Sequence, residues 1–164
     1  MNQLAIPFYG VRIACKLLDI VAPTVNFISQ HQLPNPTITA MYLQETKQIL
    51  FNEDWVLRSD WLEVVGVCFH ECRHAYQHYC VETSNREDKA TRDKWARELS
   101  SYFQPNADKP QEHDVDYLQQ SIEIDANAFT HLHIQIYFNV HSVIPEKIRT
   151  QVIDRVIALR KEEK

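Results

Sequence analysis

The chain has 164 residues, enough for a substantial core, and we expect residues 1–164 to form a single domain. It contains only two glycines, which argues against a turn-rich all-β fold and favours long helices. A net charge of −5 at pH 7 gives no electrostatic reason to expect a nucleic-acid partner, and no apolar stretch is long enough to predict a membrane span.

The four cysteines show no paired spacing of the CxxC kind. Cys68 and Cys72 are one helical turn apart, where a disulfide has poor geometry. The N-terminal segment lacks the basic region of a signal peptide, and Arg12 and Lys16 interrupt its apolar residues. We therefore expect reduced thiols and a cytoplasmic protein.

The first third of the chain predicts two helices and a hairpin. Apolar residues recur at helical spacing over 11–22, and a second helix is expected over 24–31, after the proline that separates the two. The segments 37–43 and 47–51 are rich in β-branched and aromatic residues and predict a β-hairpin. The edge of this hairpin could bind an extended peptide, or the hairpin could simply cover the core.

An HExxH motif spans residues 70–74. Two residues four apart stand on the same face of a helix, so His70 and His74 can offer imidazole nitrogens to one zinc ion. Glu71 is rotated about 100° around the helix axis, which suits it to accept a proton from a metal-bound water rather than to bind the metal. The motif therefore predicts a catalytic zinc site.

The motif helix is expected to start at a capping box formed by Asp60 and Glu63 and to end near 79–81. The rest of the chain is predicted to be helical apart from one loop. In order, these segments are an amphipathic helix over 88–103, a loop over 104–114, a long helix over 114–138 and a last helix from Pro145. The predicted fold is α+β and mostly helical, with a small β-hairpin or sheet beside the HExxH helix.

A catalytic zinc takes three protein ligands and a water, so one ligand must come from outside the motif. His78 lies about 12 Å along the helix from the start of the motif and is too far away. Cys80 stands where the metzincin pattern HExxHxxGxxH has its last histidine, although Gln77 replaces the glycine. Glu123, on a later helix, is the better candidate, because Asn127 one turn on could hydrogen-bond a ligand histidine.

The HExxH motif together with segment 123–130 resembles the gluzincin-type arrangement. The segment is similar to the E-x-E-A-N-x-F-A stretch of ImmA/IrrE-type metallopeptidases of phages and mobile elements. Asp125 stands where that family usually has glutamate, and Thr130 where it has alanine. From its position off the Glu123 face, we expect Asp125 to cap the helix or to face solvent.

The resemblance covers residues 37–130 and implies a zincin-like fold. The site residues that it implies are the zinc ligands His70, His74 and Glu123, the general base Glu71 and the supporting residue Asn127.

We expect a zinc metallopeptidase that acts on a protein or peptide substrate. The oxyanion of the reaction needs a stabilising group, and we favour His131. The other candidates are His78, His133, Tyr76 and Arg73. Two alternatives to a peptidase stay open: a zinc-containing binding module or regulator that does not hydrolyse, and a helical interaction protein without metal.

Overall fold

The computed structural model describes residues 2–83, 86–108 and 113–162. The chain forms two compact units, Met1–Tyr79 and Cys80–Lys164. It is mostly helical and has a small three-stranded sheet, which confirms the predicted α+β class. In the described part of the chain, none of the helices combines the length and the apolar character needed to cross a membrane.

The first unit opens with helix α1 (Ile6–Leu18), which begins and ends earlier than the predicted span of 11–22. Pro7 lies in its first turn, where the missing N–H costs no helical hydrogen bond. The helix ends at Asp19, which adopts the left-handed conformation with φ of 50° and bonds its N–H back to the last turn. The residues that α1 buries are Ile6, Pro7, Gly10, Val11, Ala14, Cys15 and Leu18.

The structure has a strand, β1 (Thr24–Ile28), where a second helix was predicted over 24–31, so that prediction was wrong. β1 pairs in parallel with β3 (Gln48–Asn52), and Asn26 Nδ2 donates to Gln48 Oε1 at 2.7 Å. β-Branched and aromatic residues dominate the segment, and a partner strand distant in the chain supplies its main-chain hydrogen bonds. The helix prediction used a local capping signal, which contains no information about a partner strand distant in the chain.

The predicted hairpin over 37–43 and 47–51 is confirmed. Strand β2 (Ala40–Leu43) pairs antiparallel with β3, with Tyr42 opposite Ile49. The strand order is β1-β3-β2, so β2 lies at one edge of the sheet. The central strand β3 carries the fully buried Ile49 and Phe51, which anchor the sheet in the core.

Strand β3 leads through the short helix α2 (Glu53–Arg58) into α3 (Trp61–Thr83), which carries the HExxH motif. Asp60 Oδ1 accepts a hydrogen bond from the Leu62 N–H at 2.8 Å, and Glu63 Oε2 accepts one from the Asp60 N–H at 3.3 Å. The predicted capping box is therefore confirmed. The helix runs a few residues beyond its predicted end.

The second unit contains α4 (Lys89–Ser100), within the predicted span of 88–103. Asp88 caps it by accepting the Thr91 N–H at 3.0 Å, and Trp95 is its buried residue. The amphipathic helix is therefore confirmed. Residues 109–112 of the loop predicted over 104–114 lie outside the described residues.

The prediction of a single helix over 114–138 was wrong. Two helices occupy this region, α5 (Val115–Leu118) and α6 (Ser121–Phe138). Gln120, which separates them, has an extended backbone with ψ of 136°. Its side chain accepts the Phe103 N–H at 2.9 Å and donates to the Phe103 carbonyl oxygen at 3.0 Å. This tie to a distant segment holds Gln120 out of the helix.

The last helix of the described residues is α7 (Arg149–Glu162), which follows a 3₁₀ turn, Glu146–Ile148. Pro145 precedes that turn, so it is not the first helical residue as predicted. α7 packs against α6, and Arg155 Nε lies 2.7 Å from Asp125 Oδ1. Asp125 is 2% exposed, so the prediction that it caps the helix or faces solvent was wrong. Its burial is tolerated because the guanidinium pairs with it.

Candidate metal centre

The two histidines of the motif lie on successive turns of α3 and turn the same nitrogen toward each other. The Nε2 atoms of His70 and His74 are 3.0 Å apart, and the two rings are nearly perpendicular, at 80°. Two nitrogens bound tetrahedrally to one zinc ion at about 2.0–2.1 Å would be roughly 3.3–3.4 Å apart. The nitrogens are therefore already near the spacing that a shared ion requires.

A buried glutamine one turn beyond the motif fixes the orientation of His74. Gln77 is fully buried, and its Oε1 lies 2.8 Å from His74 Nδ1. Because an amide oxygen only accepts, this contact places the imidazole proton on Nδ1 and leaves the Nε2 lone pair for a metal. From the sequence alone, Gln77 was noted only as the residue that replaces the glycine of the metzincin pattern. Its signal was the spacing of three residues from a ligand histidine.

Glu123 lies in the first turn of α6 and is 0% exposed. The Tyr102 hydroxyl donates a hydrogen bond to its Oε1 at 2.6 Å. Burial, and next the charge of Glu123, raise the pKa of Tyr102 well above its usual value, so the phenol stays protonated as a donor. Tyr102 was missed as a site residue because the sequence predicted only an amphipathic helix over 88–103 and gave no sign that this segment meets Glu123.

The structure brings the three predicted metal ligands together. Each of His70, His74 and Glu123 offers one ligand atom, and these atoms all lie within 4.8 Å of one another. Two histidines one turn apart lie close together in any helix. A carboxylate from a distant segment does not lie near them by helix geometry alone. The group could therefore hold a metal ion.

Glu71, the predicted general base, is held by the sheet. Its side chain is 8% exposed, and its Oε2 accepts the backbone N–H of Tyr42 on strand β2 at 2.8 Å. A backbone donor on a sheet cannot swing away as a long side chain can. The carboxylate next to His70 therefore has a defined position against β2.

The two remaining predicted site residues, Asn127 and His131, have hydrogen-bond partners within the second unit. Asn127 Nδ2 donates to the backbone carbonyl oxygen of Glu123 at 2.8 Å. His131 Nδ1 lies 2.9 Å from Ser142 Oγ, and its ring stacks on His141 at 5.8 Å. Eight residues of helix separate His131 from Glu123 by about 12 Å along the axis. The catalytic role of His131 and the supporting role of Asn127 stay predictions.

The other residues weighed for the site have aromatic neighbours. The ring of His78 lies 5.6 Å from that of Tyr42, and the Arg73 guanidinium lies 4.4 Å above the ring of Tyr76. His133 lies on α6 with its ring 4.2 Å from that of Phe129. These positions do not single out one of them as the oxyanion donor.

Comparisons of the chain with protein-family models, with curated proteins and with solved structures found no match. The function is therefore inferred from the residues of the candidate metal centre and from their geometry.

Proposed function

We propose that the protein is a zinc metallopeptidase of the gluzincin type, formed by a single zincin-like domain. The observation that carries this proposal is the gathering of His70, His74 and Glu123 with their ligand atoms within 4.8 Å. Two imidazole nitrogens and one carboxylate oxygen are a donor set of catalytic zinc sites, which keep a fourth position for water. Glu71 stands beside this set, and a purely structural zinc site has no use for such a base.

A zinc ion held by His70, His74 and Glu123 would supply a Lewis acid for activating a water and polarising the carbonyl of the scissile peptide bond. Glu71 accepts the proton of the attacking water and returns it to the leaving amine. The Tyr42 N–H fixes one oxygen of Glu71 at 2.8 Å, which limits the rotation of the base. His131 remains our proposal for the donor that stabilises the oxyanion.

Two neighbours orient the ligands in this proposal. Gln77 sets the tautomer of His74 through the 2.8 Å contact to Nδ1, and Tyr102 holds one oxygen of Glu123 at 2.6 Å. Partners of this kind keep ligand side chains in the binding rotamer and are worth about 10–100-fold in metal affinity. They support a built metal site over a chance meeting of three side chains.

The substrate that this geometry favours is a protein or peptide in extended conformation. β2 lies at the edge of the sheet, and its Tyr42 contacts the base Glu71. A peptide that adds to this edge by main-chain hydrogen bonds would run beside the catalytic carboxylate. The resemblance to ImmA/IrrE-type metallopeptidases supports the same proposal, because the hairpin precedes the motif helix and the segment 123–130 lies within α6.

The Glu71→Gln variant tests catalysis separately from metal binding. Gln keeps the size of the side chain but cannot accept the water proton, so we expect zinc content to be unchanged and peptide cleavage to fall by about 10²–10⁴-fold. The assay incubates the zinc-loaded protein with a library of unstructured synthetic peptides and reads cleavage by mass spectrometry. Glu63→Gln, an exposed change on the same helix, is the matched control and should retain full activity.

Cleavage that is equal in Glu71→Gln and wild type would contradict the proposed role of Glu71. A zinc-loaded wild type that cleaves none of the peptides, and whose biological activity survives Glu71→Gln, would support the binding-module alternative instead.

A further inference from the structure

A pair of buried thiols lies beside the HExxH motif in the first unit. The Sγ atoms of Cys15 on α1 and Cys72 on α3 are 3.6 Å apart, and the two residues are separated by 57 positions in the chain. Their side chains are 2% and 0% exposed. The two sulfurs are in direct contact, although neither is in a disulfide.

Helices α1 and α3 approach each other closely around this pair. A Cβ atom added to Gly10 would lie 2.8 Å from the Sγ and 2.9 Å from the Cβ of Cys68, closer than side chains pack. Further along, the Cys72 Sγ lies 3.8 Å from the carbonyl oxygen of Val11. At Gly10 the backbone of α1 therefore lies against the Cys68 side chain, and the two helices have no room to move closer together there.

We propose that Cys15 and Cys72 form a reversible disulfide bond when the protein meets an oxidant of the peroxide class. With hydrogen peroxide, one sulfur attacks a peroxide oxygen, the O–O bond breaks, and a sulfenic acid and one water form. The second sulfur then displaces the hydroxyl group, so the S–S bond forms and a second water leaves. Two thiols lose two electrons and two protons, and the peroxide takes up both.

The geometry makes the second step faster than further oxidation of the sulfenic acid. The attacking sulfur is already 3.6 Å away and must approach to only about 2.05 Å. Hydrogen peroxide is small enough to reach a buried thiol during local opening of the surrounding helices. A larger thiol reagent would meet the same burial and react more slowly.

The disulfide would act on the metal site, and this part of the inference rests on the proposed function. Cys72 lies midway between His70 and His74 in the motif. Closing the disulfide shortens the Sγ–Sγ distance by about 1.5 Å, and because α1 at Gly10 lies tightly against the Cys68 side chain, we expect the movement to fall on the turn of α3 that holds Cys72. We expect the oxidised protein to bind zinc at least about 10-fold more weakly.

The test treats the whole metal-free chain with hydrogen peroxide and then counts thiols in denaturant. We expect the count to fall from four to two, with a Cys15–Cys72 linkage in non-reducing mass spectrometry and full recovery with dithiothreitol. Cys68→Ser is the matched control, since it removes a thiol one turn away and should leave the linkage intact. Cys15→Ser and Cys72→Ser should each abolish it.

A folded wild type that keeps all its thiols would overturn the proposal, as would a linkage that includes Cys68 or Cys80. Zinc dissociation constants of the reduced and oxidised protein, measured against a competing chelator, test the link to the metal site. Equal constants refute that link. A reduced protein that binds no zinc refutes the proposed metal site instead, while the thiol count still decides the disulfide.

Discussion

The hydroxyl of Tyr102 and the amide of Gln77 each hold one candidate metal ligand in place. Tyr102 donates to Glu123 at 2.6 Å, and Gln77 accepts from His74 at 2.8 Å. A carboxylate that is fully removed from water needs such a donor, because burial without hydrogen bonds disfavours its charged form. The neutral phenol supplies the donor without adding a charge to the site.

Replacing Tyr102 by phenylalanine removes this donor and keeps the ring. We expect the dissociation constant for zinc to rise about 10-fold, since Glu123 loses the contact that orients it, while the helical circular-dichroism signal stays unchanged. The measurement is a competition titration against a chromogenic zinc chelator. Tyr137→Phe removes an exposed hydroxyl from α6, the helix that carries Glu123, and should leave the constant unchanged. Equal affinities of Tyr102→Phe and wild type would show that the hydrogen bond does not support a metal ligand.

Among the secondary-structure elements, the close contact of α1 with α3 fixes the position of the motif helix. The face of α3 that makes this contact carries Cys68 and Cys72. Gly10 makes this contact possible, because an added Cβ would meet the sulfur and the Cβ of Cys68 at 2.8 and 2.9 Å. In an open helix, a change from glycine to alanine stabilises by about 1 kcal/mol. Whether a change of Gly10 to alanine raises or lowers the free energy of unfolding therefore shows whether the two helices pack as closely as described.

We expect Gly10→Ala to lower the free energy of unfolding by about 1–2 kcal/mol, because the cost of overpacking exceeds the gain in helix propensity. Urea denaturation followed by circular dichroism measures it. Lys16→Ala, an exposed change on the same helix, should alter the free energy by less than about 0.5 kcal/mol. A Gly10→Ala protein that is more stable than wild type would rule out this contact.

The elements that could be predicted are those whose signals are local. The capping box of Asp60 and Glu63 and the hairpin before it depend on residues close together in the chain, and both are present. The strand β1 was missed because its stabilising partner, β3, is distant in the chain. The break before α6 was missed for the same reason, since the Gln120 side chain bonds to Phe103.

In the molecule as a whole, the candidate site shows the same difference between features with local sequence signals, which could be predicted, and contacts between distant segments, which could not. His70 and His74 follow from spacing within one helix, and Glu123 was chosen from the residues around it. Tyr102 and the partner of Asp125 depend on which distant segments meet in the fold, and the periodicity of a helix carries no such information. The three candidate ligands could be predicted from the sequence, but Tyr102, which holds Glu123, could not.

The proposed function depends on the binding of one metal ion to His70, His74 and Glu123. The most direct test is metal content by mass spectrometry, on protein purified without added metal and again after zinc is offered. Wild type is compared with His74→Ala and Glu123→Ala, and Glu63→Gln, which keeps a side chain suited to the capping box, serves as an exposed control on the motif helix. We predict one zinc ion per chain in wild type and in the control, and loss of zinc in both ligand variants. Zinc retained in Glu123→Ala would contradict the proposed ligand set, and a wild type that takes up no zinc even when it is offered would contradict the metal site altogether.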